Sequence, residues 1–176
     1  MRSRGRLRIG AVTAAAVVLS VCGVPAETID RVLAVAAGQV IMLTDVTAAR
    51  ELGLVSADGA PDPVRAVLSK LIDRALMLVE VDRYGPPEPS RAAIDDAFAE
   101  VRARFADASS FAAALARSGL DERRLRDTLR QDLRLRAYLE QRFSSSDPRR
   151  EARLEDWLAS LRRRGDIVDL YARSPS

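Results

Sequence analysis

Two short strand-forming stretches stand at opposite ends of a chain whose middle is patterned for helices, and they limit its fold more than any other feature. In TIDRVLAVAAGQVIM, residues 28–42, Ile29, Val32, Leu33 and Val35 precede Ala36-Ala37-Gly38, and Val40 and Ile41 follow it. Apolar, β-branched runs on both sides of a Gly-containing turn predict a short hairpin. Near the other end, DIVDLY at 166–171 predicts one further strand. Neither is stable alone, so the last strand is expected to pair with the first hairpin. The middle must then carry the chain back to where it began.

Six helices are expected to do this. Thr44-Asp45 fits a helix start, with a helix from about Asp45 to Leu52 stopping near Gly53. After a Gly-, Asp- and Pro-rich loop over 56–63, Val64, Val67, Leu68, Leu71, Ile72, Ala75, Leu76 and Val79 recur at helical spacing. That helix runs from about Pro63 to Tyr84 and is stopped by Gly85-Pro86-Pro87. Ser90 caps a third, with Ile94, Ala97, Phe98, Val101 and Phe105 on one stripe. A short fourth holds Phe111 and Leu115 and closes at Gly119. Asp121 caps a fifth, about Glu122 to Phe143, with Leu125, Leu129, Leu133, Tyr138 and Leu139 inward. Residues 144–148 form a polar break before a sixth helix with Leu154, Trp157, Leu158 and Leu161 on one face. The fold class is mainly α, with an amino-terminal β-hairpin pairing with a carboxy-terminal strand.

The first 26 residues read as a signal peptide: Arg2, Arg4, Arg6 and Arg8, an apolar stretch from Ile9 to Val21, and Val24-Pro25-Ala26 before a cleavage site at Glu27. An uncleaved anchor and a lipoprotein modified at Cys22 are the alternatives, the second weakened by bulky Val21. The leader also explains the net charge. The whole chain has 28 basic and 25 acidic residues and a pI near 9.6. Without the leader, 24 basic and 25 acidic groups remain. These are divided unevenly. Residues 27–116 hold 9 basic and 14 acidic groups, whereas 117–176 hold 15 and 11. The basic excess gathers on the fifth helix, where i, i+4 pairs such as Arg123–Asp127 and Asp132–Arg136 predict a solvated face. The other reading is a basic lip for acidic peptides or anionic lipid.

The chain has no His, and its one Cys lies in the leader. Triads built on His, thiol nucleophiles in the mature chain and Cys/His zinc sites are therefore excluded. Asp95-Asp96 and Glu155-Asp156 are adjacent pairs, which point apart on a helix. The sole lysine, Lys70, falls on a polar helix side. Gly38, Gly53 and Gly59 each stand alone, so there is no phosphate loop. No cofactor and no metal is expected. Nucleic acid is disfavoured by the leader and by the lack of aromatic interleaving.

Several stretches together resemble the amino-terminal chaperone module of SurA-type periplasmic chaperones, which are related to parvulin-type prolyl isomerases. VLAVAAGQVIMLTDV at 32–46 looks like that module's hairpin and capped helix, and LIDRALMLVEVDRYG at 71–85 like its central helix. PSRAAIDDAFAEVRARF at 89–105 resembles its Ser-capped helix. FAAALARSGLDERRLRDTLRQDLRLRAYLEQRF at 111–143 resembles its short helix, Gly-Leu and long helix. EDWLASLRRRGDIVDLY at 155–171 resembles its closing helix and strand.

The departures matter as well. Parvulin domains usually sit between the long helix and the last one, where this chain has only a linker over 144–150. The hairpin turn, usually Asn-rich, is Ala36-Ala37-Gly38, and Pro86 replaces a small aliphatic residue. The resemblance implies one module made of residues 27–143 and 151–176, located in the periplasm. It implies an ATP-independent, non-enzymatic chaperone that binds unfolded exported or outer-membrane polypeptides in an apolar groove. Met42, Leu43, Met77, Tyr84, Phe105, Phe111, Tyr138 and Trp157 are the groove candidates, although residues of these types at helical spacing are commonly core. The alternatives are a periplasmic adaptor for one folded partner and a residual prolyl isomerase. Oligomeric state leaves no mark in the sequence.

Overall fold

The computed structural model describes residues 30–171. The leader over 1–26 with Cys22, and Thr28 and Ile29 of the first strand-forming run, lie outside the described residues. Strands β1 (Val32–Ala36) and β2 (Gln39–Met42) are joined by Ala37-Gly38, with φ of 50° and 76°. A two-residue turn with positive φ at both positions follows the right-handed twist of the flanking strands. Gly38 adopts it freely, whereas Ala37 brings a Cβ into the left-handed region at a cost. Strand β3 (Ile167–Asp169) pairs antiparallel with the other edge of β1, as the sequence predicts, giving the order β2-β1-β3. Ala34 and Ala36 of the central strand are fully buried, and their small side chains let a helix lie close against the sheet.

That helix is α2 (Pro63–Tyr84), which spans the residues the periodicity predicts. Asp62 caps it, accepting from the Arg65 N–H at 2.9 Å, and Pro63 occupies the first helical position, where no donor is needed. Val67, Leu68, Ile72, Ala75, Leu76, Leu78 and Val81 are buried along it, and Gly85 ends it at φ 58°. Helix α6 (Arg150–Arg164) lies alongside. Its terminal Gly165 is there for space: a Cβ would come 2.5 Å from Leu76 Cδ2 and 2.8 Å from the Leu161 carbonyl.

Helix α1 (Leu43–Glu51) starts earlier than Thr44-Asp45 predicts. Its N-cap is Met42, whose N–H donates to Asp45 Oδ2 at 2.7 Å, so Asp45 serves the helix end from inside the first turn. Thr44 instead binds Asp30. Helices α3 (Arg91–Arg102), α4 (Ala108–Arg117) and α5 (Glu122–Arg142) are capped by Ser90, Asp107 and Asp121 respectively. Phe105 lies beyond the end of α3 rather than on its stripe.

The core has two clusters bridged by α5. One joins the sheet, α2 and α6 to Leu135, Tyr138 and Phe143. The other joins Leu52, Phe98, Val101, Phe111 and Leu115 to Leu125 and Leu129. Between these halves Asp132 faces Arg74 of α2, and the buried stripe of α5 shifts phase. Leu135 is therefore the buried leucine there, and Leu133, predicted inward, is half-buried beside Gly53 and Ala97.

Replacing Ala37 with Asn, which tolerates the left-handed region, is expected to raise stability by about 1 kcal/mol. An unchanged or lower urea midpoint would contradict the strain at Ala37. Asp62 is held below the ordinary aspartate range, first by the Arg65 N–H and then by the Tyr171 hydroxyl. Its contribution is thus complete above the ordinary aspartate value and is lost as pH falls through the lower folded one. Asp62→Asn keeps a cap without a titrating group. It is expected to match the parent at neutral pH and to lose less stability on acidification, read from thermal melts across pH 2–7.

Candidate functional site

The arginines of α5 do not make the pairs that their spacing along the helix predicts. Neither Arg123–Asp127 nor Asp132–Arg136 forms. Arg126 pairs with Asp95 of α3, and Arg130 lies 3.0 Å from Glu88 in the α2–α3 connection. Arg134 reaches Asp82 at 2.9 Å and Glu88 at 3.2 Å, the second contact lacking hydrogen-bond geometry. Asp132 accepts from Arg74 Nε at 2.6 Å. From α6, Arg162 binds Asp73 at 2.5 and 2.8 Å, and Arg164 approaches Glu80 at 3.4 Å. The acidic first half and the basic second half thus neutralise each other across helix interfaces, which removes much of the basis for a basic lip. An exposed pair contributes only about 0.2–1 kcal/mol, so their value lies in fixing which helices adjoin. Lys70 is a loop tie, donating to the Ser56 carbonyl at 2.9 Å and pairing with Asp58.

The eight groove candidates do not form one groove. Phe111 is buried and lies 5.4 Å from Phe105 and 5.7 Å from Phe98, inside the second core cluster. Met77 is half-buried against the first cluster. Met42 and Leu43 sit at the start of α1, half-buried and exposed respectively. Tyr84, Tyr138 and Trp157 do come together. Tyr84 stacks on Tyr138 at 5.6 Å between centroids, and Tyr138 lies 6.1 Å from Trp157. Phe143, which the sequence reading did not single out, adds a fourth ring 5.4 Å from Trp157.

The two tyrosines, with Pro86, Gln141 and Arg142, line an open cleft of about 230 Å³, and Trp157 and Phe143 pack beyond Tyr138 without lining it. The outer ring, Tyr84, is 61% exposed, while Tyr138 is 5% and Trp157 8% exposed. The Arg142 guanidinium lies 5.3 Å from the Trp157 ring centre and 5.6 Å from that of Phe143. The Tyr138 hydroxyl and Trp157 Nε1 are shielded from solvent and have no hydrogen-bond partner. Burial pushes the Tyr138 phenol up from its ordinary pKa, against the opposing pull of the Arg142 charge.

A second cleft, of about 220 Å³, opens between β2, α1, α2 and α5. Val40, Ile41, Ala48, Ala49 and Leu71 give it an apolar lining, and Arg74 and Asp132 form a polar end. None of the eight candidates lines it. Its one outward sign is Val40, 51% exposed on an edge strand. Among the described residues there is no group of three side chains able to hold a metal ion, and no helix long and apolar enough to cross a membrane. No protein-family model matches the chain, and no curated protein matches it.

A buried hydroxyl without a partner is a cost that phenylalanine removes. Tyr138→Phe is expected to leave stability unchanged or raise it by about 1 kcal/mol. A loss of 1 kcal/mol or more in chemical denaturation would mean that the hydroxyl is bonded.

Proposed function

We propose that this protein is an ATP-independent, chaperone-like module of the periplasm that binds unfolded exported polypeptides. The observation that supports this most directly is the apolar cleft beside β2, wide enough for a large side chain and bounded by an exposed valine. Unfolded chains differ from folded ones chiefly in offering aliphatic and aromatic side chains to solvent, and a cleft with this lining removes such groups from water. A shallow, open cleft gives weak and reversible capture, which suits a holder of clients. The order of motifs from hairpin to closing strand points the same way, as does the leader for export. Outer-membrane proteins are the clients that this resemblance implies.

The protein lacking residues 1–26 is expected to slow the aggregation of an unfolded outer-membrane protein without nucleotide. Leu71→Asp and Val40→Asp, which place charge in the cleft, are each expected to reduce that protection severalfold. Light scattering reads the outcome, with circular dichroism confirming that each variant is folded. No protection by the parent protein, or full protection by both folded variants, would refute the proposal.

A further inference from the structure

The cleft beside β2 borders a strand edge whose backbone is unpaired. Ala36 and Gln39 flank the two-residue turn and form the hydrogen-bonded pair of the hairpin, so the next pair, Val35–Val40, is not hydrogen-bonded. The far side of β1 has the matching phase. There the Ala37 N–H donates to the Asp166 carbonyl and the Leu170 N–H to the Leu33 carbonyl, so Leu33, Val35 and Ala37 turn their backbone groups to β3. The Val40 N–H and C=O therefore point away from β1, and neither has a partner among the described residues. Met42 offers no such donor, because Asp45 takes its N–H at 2.7 Å. The β3 edge carries the Asp169 carboxylate, held by Arg65, a charge of the kind that blocks strand addition. Val40 is thus a short stretch of open edge, and it lines the cleft.

Alternation of side chains across a strand decides what this edge can take. Val40, Val35 and Val168 are cross-strand partners and form an apolar row on one face of the sheet, with Val40 51% and Val168 42% exposed. Ile41 belongs to the other face, with Ala34 and Ala36, and lines the cleft together with Ala48, Ala49 and Leu71. A strand added here sets one residue opposite Val40, with its N–H and C=O on those of Val40 and its side chain prolonging the valine row. The side chains on either side of that residue fall on the face of Ile41. A small apolar molecule fills the cleft but leaves the Val40 donor and acceptor unmet, whereas one extended residue meets both. A second copy pairing through its own β2 brings only Gln39, which is polar, and Ile41, which is 6% exposed within its own core. It has no free apolar side chain for the cleft. We propose that β2 captures an extended stretch of client chain as a fourth strand, through one residue pair centred on Val40, with an adjacent apolar side chain in the cleft. The inference rests on the polypeptide-binding reading above and states how that cleft holds the chain. It selects consecutive strand-forming apolar residues, one for the valine row and one for the cleft. Asp45 keeps the edge short, so the capture is readily reversed.

The protein lacking residues 1–26, isotope-labelled for amide NMR, is titrated with a peptide capped at both ends, whose Val-Leu-Val centre lies between Thr and Lys flanks. The same peptide is then used with a single N-methyl group placed at each residue in turn. The Val40 amide is expected to exchange at least about tenfold more slowly in the complex, while that of Gln39, bonded across the hairpin, changes little. N-methylation is expected to lower affinity about tenfold at the residue that pairs with Val40, and far less at its two neighbours, whose N–H groups face away from β2. Val40→Pro removes the outward donor without breaking the β1 ladder and is expected to cause a similar loss, with thermal melts confirming that it is folded. A Val40 amide left unprotected at saturation, or N-methylated peptides that all bind as the parent peptide does, overturns the proposal. Val40 protection that rises with protein concentration in the absence of peptide also overturns it, and assigns the edge to a second copy. Failure of the peptide to bind while aggregation is still slowed overturns strand capture and leaves the chaperone reading standing. Binding with Val40 protected but no protection from aggregation supports the strand site and removes the chaperone reading instead.

Discussion

Antiparallel pairing of β1 with β3 is the constraint on which the remainder of the structure rests. Register places Ala34 opposite Asp169 and Ala36 opposite Ile167, so the two ends of the described chain lie side by side. Backbone bonds extend the join on both sides, from the Ala37 N–H to the Asp166 carbonyl and from the Leu170 N–H to the Leu33 carbonyl, each at 2.9 Å. With both ends fixed on one strand, six helices must form a closed excursion. The long α2 can lie under the sheet only because the central strand offers alanines, and α6 can approach α2 only because Gly165 has no side chain. Arg65 of α2 holds Asp169 and Tyr171 holds Asp62, which ties the closing strand to the start of α2 as well.

Charge carries out the second level of organisation. Burial of leucine and phenylalanine supplies the driving force but has little preference for which helix adjoins which. The carboxylates of α2, α3 and their connection are matched by arginines of α5 and α6, and this matching does discriminate. A chain near neutrality overall, yet divided into acidic and basic halves, has the composition required for halves that face each other. Helix α5 is central to this arrangement because it contributes to both apolar clusters while its flank holds α3 and the α2–α3 connection.

Local signals were read well from the sequence. Ser90, Asp121 and the Gly85-Pro86-Pro87 stop all depend on groups within a few residues of each other, and the elements they bound appear where expected. Met42 as a helix cap was hidden, since a methionine carries no capping signature and Asp45 acts from within the turn. The partners of Arg126, Arg130 and Arg134 were hidden for a different reason. Spacing along one helix reveals its own i, i+4 neighbours but not the carboxylates of another. The clefts follow the same rule. Tyr84, Tyr138 and Trp157 stand out in the sequence by residue type alone, and tertiary packing brings them together. The apolar lining of the cleft beside β2 comes from small and aliphatic residues of β2, α1 and α2, none of which differs locally from core.

The closing of the sheet also bears on the order in which the molecule can assemble. The hairpin of β1 and β2 is marginal by itself, and the strand that completes it follows all six helices. A connection of this length makes the pairing a long-range contact, whose loop-closure entropy has to be overcome before the sheet contributes stability. The α3–α4–α5 cluster, built from residues close in sequence, can form well before that. A chain emerging from its amino terminus therefore exposes one edge of β1 until β3 is released, and the sheet is complete only after all six helices have been made.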